Sequence, residues 1–135
     1  MPAPTSPAPV PLLVVEDNKD LSDILMHVLR RAGFDVQLAR TGREAELAIT
    51  EGAPPALALM DIGLPYKDGF QLIQLIRATP AWQQVPIVML SGRNRREDIE
   101  RARALGADDY LIKPFQPAEL LSCIRRRLAA RSVPS

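Results

Sequence analysis

Four short apolar runs, LLVV (12–15), LALM (57–60), IVML (87–90) and YLI (110–112), punctuate the chain. Continuous apolarity over so few residues predicts strands covered on both faces, as in a parallel sheet. DVQLA (35–39) instead alternates, with Val36 and Leu38 against Gln37, and predicts an edge strand. Helical periodicity fills the intervals. Leu21, Ile24, Leu25, Val28, Leu29 and Ala32 form one apolar face that stops at Gly33. Thr41 with Glu44 reads as a capping box for a helix through Glu51. A third helix covers 70–78 and halts at Thr79-Pro80, with Asp68-Gly69 as its cap and turn. A fourth covers 95–105 and closes at Gly106; a fifth covers 117–130 with Leu120, Ile124 and Leu128 inward.

Strand and helix therefore alternate five times. Right-handed crossovers then give a parallel sheet with helices on both faces, an α/β fold. An edge-type second strand favours the flavodoxin-like (βα)5 doubly wound order 2-1-3-4-5, whose ligand crevice lies beyond the carboxyl ends of strands 1 and 3.

Each strand except the second runs into a polar group: Glu16-Asp17, Asp61, Ser91 and Lys113. The topology gathers these on one sheet edge. Three carboxylates in one crevice repel, so either some remain protonated or a cation sits among them. Oxygen donors suit a hard ion, Mg²⁺, for which Mn²⁺ could substitute; a backbone carbonyl near Gly63 and waters would complete the shell. With the single cysteine and single histidine elsewhere, zinc is disfavoured. An aspartate beside a metal and an ammonium can attack phosphorus. Asp61 would form an acyl phosphate while Lys113 and Ser91 engage its oxygens.

Size and charge narrow the class. A chain of 135 residues suits one domain, expected over 12–130, between a Pro-rich extended tail (1–11) and a short C-terminal tail (131–135). No apolar run spans a bilayer, and the first residues lack signal-peptide character, so a soluble, cytoplasmic protein without membrane contact is expected. The net charge of +1 gives no overall pull toward nucleic acid. Nine of the fourteen arginines lie from Arg93 onward, a solvated helix face or a basic partner surface.

VVEDNKD, LMDIGLPYKDGF, IVMLSG and GADDYLIKPF together closely resemble the receiver domain of bacterial two-component response regulators, over residues 12 to about 130. The resemblance implies that Asp61 takes phosphate from a sensor histidine kinase, a histidine phosphotransfer protein or a small acyl phosphate. Glu16, Asp17, Asp61 and the Gly63 carbonyl would hold Mg²⁺, Ser91 would be the switch hydroxyl and Lys113 the phosphate-binding lysine. Tyr110 matches the switch aromatic, and Lys113-Pro114 a bond that is cis in the family. The switched surface would be that of the fourth helix, fifth strand and fifth helix, which would bind a downstream protein.

Some positions depart from common family choices. Gly63 and Arg93 flank the route of attacking water, and Cys123 stands where winged-helix regulators carry a basic residue that helps build their dimer. A single-domain regulator is favoured; a receiver excised from a hybrid kinase or DNA-binding regulator, and a phosphate-independent binding module, are the alternatives. An aspartyl-phosphate phosphatase is disfavoured, since such enzymes commonly place a second acid where Gly63 stands. The domain is thus expected to catalyse only its own phosphorylation and dephosphorylation. His27 and Cys123 read as ordinary helix residues and Trp82 as filler of a loop-side packing gap.

Overall fold

The computed structural model describes residues 9–62, 68–92 and 96–132. Five strands, β1 (Val10–Val15), β2 (Phe34–Ala39), β3 (Leu57–Asp61), β4 (Ile87–Ser91) and β5 (Asp109–Ile112), alternate with five helices. These are α1 (Lys19–Arg31), α2 (Gly42–Glu51), α3 (Gly69–Ala78), α4 (Arg96–Leu105) and α5 (Pro117–Ser132). Every pairing is parallel and the strand order is β2-β1-β3-β4-β5, as the edge character of 35–39 predicts.

Alternation within each strand divides the core into two layers. Leu13, Val15, Ala58, Met60, Ile87 and Met89 pack with α2, α3 and Ala102 of α4, while Leu12, Val14, Leu57, Leu59, Val88 and Leu90 pack with α1 and α5. Both faces of the central strands are therefore dry, which is why they read as unbroken apolar runs. β1 begins two residues before the run at 12–15: Val10 and Pro11, read from sequence as tail, pair with Phe34 and Asp35. Both are exposed, so apolarity carries no signal of their pairing.

Caps follow side-chain chemistry. Asp68 and Gln71 exchange reciprocal bonds, a complete capping box. At α2, Thr41 accepts from the Glu44 N–H at 3.1 Å, but Glu44 reaches back to the Arg40 N–H rather than to that of Thr41. Trp82 is buried under the loop as expected, its indole donating to the Gly52 carbonyl at 3.3 Å.

Two helices depart from their patterns. Ile24 belongs to the apolar stripe of α1 yet is 54% exposed, because it stands at the rim of a cleft against α5. α4 is lightly seated. Ala102 is its one buried residue, Ile99 and Leu105 are half-buried, and Arg101 lies over the Phe70 ring at 4.2 Å.

Gly69 shapes the crevice floor. A Cβ there would meet the Asp61 carbonyl oxygen at 2.7 Å and Ile62 Cα at 2.8 Å. Backbone cannot yield as a flexible side chain can, so Gly69→Ala should cost about 2 kcal/mol in urea unfolding and displace Asp61. An unchanged midpoint would refute that reading.

Candidate functional site

Local structure places each acid. β1 delivers Glu16 and Asp17 just before α1, where Asn18 caps the helix by accepting from the Leu21 N–H at 2.9 Å. Glu16 is fully buried and accepts from the Asn18 N–H at 3.2 Å; Asp17 is exposed. β3 ends on Asp61, which is 8% exposed, and the Ile62 N–H closes against the Leu90 carbonyl at 3.2 Å. Carboxylate oxygens of Glu16, Asp17 and Asp61 all lie within 4.8 Å of one another. An all-oxygen cluster of that spacing fits a hard divalent cation.

Lys113 enters from the segment after β5. Its N–H donates to the Ser91 carbonyl at 2.8 Å and the Lys113-Pro114 bond is cis. Its ammonium lies 2.9 Å from Glu16 Oε1 and 3.1 Å from Asp61 Oδ2. Sequence reasoning paired this lysine with Asp61 alone. That it also serves Glu16, 97 residues away, depends on β1 and β3 being neighbours and carries no signature in the chain.

One ammonium cannot balance three acids. Burial, partly offset by Lys113 and reinforced by Asp61, pushes the Glu16 carboxyl up to about 7. Burial would lower the Lys113 pKa, but Glu16 and Asp61 outweigh it and raise it. Burial thus favours the protonated form of Glu16, while its acidic neighbours favour the charged form of Lys113. Between the ordinary glutamate range, about 4.5, and about 7, the folded protein holds a proton the unfolded chain has lost. Stability of the metal-free protein should accordingly fall as pH rises through that window, by roughly 3 kcal/mol. Glu16→Gln should flatten the dependence; a slope unchanged by the substitution would place the titration elsewhere.

Ser91 is buried at the end of β4, one residue beyond the Asp61–Leu90 pairing, opposite Ile112 of β5. Tyr110 is half-buried and packs with the α2–α3–α4 layer of the core. Gly63 and Arg93 lie outside the described residues.

Away from this edge, sequence reading missed the role of Asp109. It accepts from the Tyr110 N–H, the Cys123 thiol at 3.3 Å, Arg126 at 3.3 Å and Arg127 at 3.2 Å. Burial alone would raise its pKa, but these donors lower it. Cys123, read as a helix-flank residue, is 2% exposed; burial and the adjacent carboxylate push its thiol up to about 11. Asp109 and the arginine run at 125–127 are far apart in the chain, and only the α5 packing makes them partners.

Known proteins share the fold. The response regulator receiver domain model matches residues 12–125. The DNA-binding response regulator MtrA of Mycolicibacterium paratuberculosis is 39% identical over 117 residues, which are 87% of this chain and 50% of that protein. The chain thus spans about half the length of the curated relatives it matches. Among solved structures, the receiver domain of sensor histidine kinase PA1611 from Pseudomonas aeruginosa, with magnesium coordinated in its active site cleft, superposes with a TM-score of 0.83 at 33% identity. The match covers 90% of this chain and 99% of that one. Chemotaxis response regulator CheY4 of Vibrio cholerae gives a TM-score of 0.83 at 28% identity, covering 88% and 98%.

A five-stranded parallel α/β fold with an acidic, lysine-bridged crevice at its strand ends matches the fold of receiver domains. The chain belongs to the response regulator receiver domain family of two-component systems.

Proposed function

We propose that Asp61 is the phosphoacceptor, taking a phosphoryl group from a phosphohistidine on a sensor kinase or histidine phosphotransfer protein. The observation that carries this is the Asp61 carboxylate at the end of a buried strand, 3.1 Å from the Lys113 ammonium and clustered with two further acids. Glu16, Asp17 and Asp61, with the Gly63 carbonyl, would hold Mg²⁺ or in its place Mn²⁺. When bound, that ion offsets negative charge on the phosphoryl oxygens.

An Asp61 oxygen attacks phosphorus in line, the P–N bond to histidine breaks, and the imidazole nitrogen keeps the electron pair. Lys113 exchanges part of its contact with Asp61 for a phosphoryl oxygen. Ser91 donates its hydroxyl to another, and Tyr110 follows inward. Shifting a domain from about 1% to 99% active takes roughly 5.5 kcal/mol of differential stabilisation, within reach of a doubly charged group with new charged partners. α4 is the element suited to respond, since one buried alanine holds it. Its surface with β5 and α5 would bind a downstream protein in the cytoplasm, without contacting nucleic acid or membrane. No described helix is long and apolar enough to cross a membrane. The domain catalyses only its own phosphorylation and dephosphorylation.

The test is intact mass after incubation with acetyl phosphate, with and without Mg²⁺, repeated with beryllofluoride and amide NMR. One phosphoryl group added only with Mg²⁺ supports the reading. No adduct and no beryllofluoride-induced shifts would leave a receiver fold used as a scaffold.

A further inference from the structure

β2 is an edge of the sheet, and its two faces differ in charge. Phe34, Val36 and Leu38 belong to the core layer of α1 and α5, whereas Ala39 packs with α2. Strand alternation therefore sends Asp35 and Gln37 to the α2 side, where Gln37 lines a hollow with Glu44 and Glu51. Arg40 falls on the α1 side instead. There Met26, His27, Arg30 and Arg31 share one flank of α1 at helical spacing. Helix and strand together border a hollow of about 680 Å³, with half-buried Met26 and Leu38 as its apolar floor and the exposed Arg30, Arg31 and Arg40 around it.

These three arginines differ from others on the surface. Arg77, Arg96, Arg126 and Arg127 each pair with an aspartate or glutamate. Among the described residues, Arg30, Arg31 and Arg40 form no ion pair. Asp23, the one acid lining the hollow, is taken by Lys19 at 3.0 Å, and Glu44 reaches only the Arg40 backbone N–H, at 3.4 Å. Arg30 and Arg31 also complement the negative end of α1, but Arg40 comes from another element, so the helix dipole does not account for it. Like charges from two elements around one concavity concentrate anions there.

We propose that the α1–β2 hollow binds a free nucleotide carrying two or more phosphates, its phosphates on Arg30, Arg31 and Arg40 and its base against Met26 and Leu38. The volume lies in the range of small-molecule sites, roughly 300–1,000 Å³. A lone carboxylate is met by one guanidinium fork, whereas a chain of phosphates presents oxygens enough for three, and His27 can donate one more N–H. The thioether and leucine give the base an apolar surface, and an arginine plane can stack on it. A nucleic-acid duplex would need a protruding element to enter its groove, and this site is concave. None of the crevice residues lines the hollow, so its occupancy does not rest on the phosphoacceptor reading.

The experiment titrates the isotope-labelled chain with ATP, GTP and inorganic tripolyphosphate at low salt, without divalent metal so that the crevice acids hold no metal–nucleotide. Expected are NMR shifts centred on the amides of Met26, His27, Arg30, Arg31 and Arg40, with at least one nucleotide bound about fivefold or more tighter than tripolyphosphate. Arg30→Gln/Arg40→Gln should weaken that binding by about tenfold or more. Both side chains are exposed, so the variant keeps the fold, which its unchanged amide spectrum away from the hollow will show. Shifts confined to the crevice, no shifts at millimolar nucleotide, or wild-type affinity in the double variant would each overturn the proposal. Tripolyphosphate binding as tightly as both nucleotides would overturn the role of the base and leave a site for inorganic polyanions.

Discussion

Asp61→Asn will take up no phosphoryl group from acetyl phosphate and Mg²⁺ under conditions that label the wild type. The amide oxygen is a poor nucleophile and cannot yield a stable acyl phosphate, while the fold around it has no reason to change. The substitution also removes one of three crowded carboxylates. Asp61 contributes to the raised Glu16 pKa by charge and by hydrogen bonding, so that titration should move down in the variant. Two readouts on one protein thus separate chemistry from folding: intact mass reports the adduct, and NMR of the Glu16 carboxyl reports the coupling. An equal adduct on the variant would assign the phosphoryl group to another residue. A Glu16 titration that stays in place would show that the acids are less tightly coupled than their spacing within 4.8 Å requires.

Arg77→Ala should produce the largest loss of stability among single surface-reaching substitutions, about 3 kcal/mol. The side chain leaves the end of α3 and is largely covered. Nε and Nη2 donate to the Gly106 carbonyl at 3.1 and 2.7 Å, Nη1 to the Gln83 and Val85 carbonyls at 2.7 Å each, and Nη2 to Asp108 at 3.0 Å. Asp108 in turn accepts from the Ile87 N–H at 2.8 Å, at the start of β4. One guanidinium therefore ties together the α3 end, the loop before β4 and the turn between α4 and β5. That turn needs Gly106 at φ +118°, where a Cβ would also meet Arg77 Nε at 2.8 Å. Charge-assisted bonds contribute about 1.5–3 kcal/mol each when measured singly, but several made by one group do not add. Lysine lacks the planar fork and should recover less than half. Urea unfolding with an unchanged m-value is the measure; a shift under about 1 kcal/mol would show that water replaces the clamp.

The architecture was legible because it rests on local periodicity. Unbroken apolar runs at 57–60 and 87–90 require a strand dry on both faces, the alternation at 35–39 requires an edge, and Gly33 and Gly106 end their helices at positive φ. Given β2-β1-β3-β4-β5, the sheet edge that carries Glu16, Asp61 and Lys113 follows from topology. Boundaries failed where pairing does not require burial, as at Val10 and Pro11.

Contacts between residues distant in the chain were another matter. That Lys113 bridges Glu16 as well as Asp61, that Asp109 gathers Cys123 and two arginines, and that Arg77 clamps three segments each depend on which helix packs beside which strand. Ile24 shows the same from the apolar side, since its periodicity places it on the inner stripe while the packing of α5 leaves it at an open rim. The chain itself determined the fold and the chemical types at the crevice, because hydrophobic period and strand-end polarity are properties of neighbouring residues. Tertiary packing decided how far burial raises the Glu16 carboxyl and which groups Lys113, Asp109 and Arg77 join, because distance and desolvation arise only once the layers close.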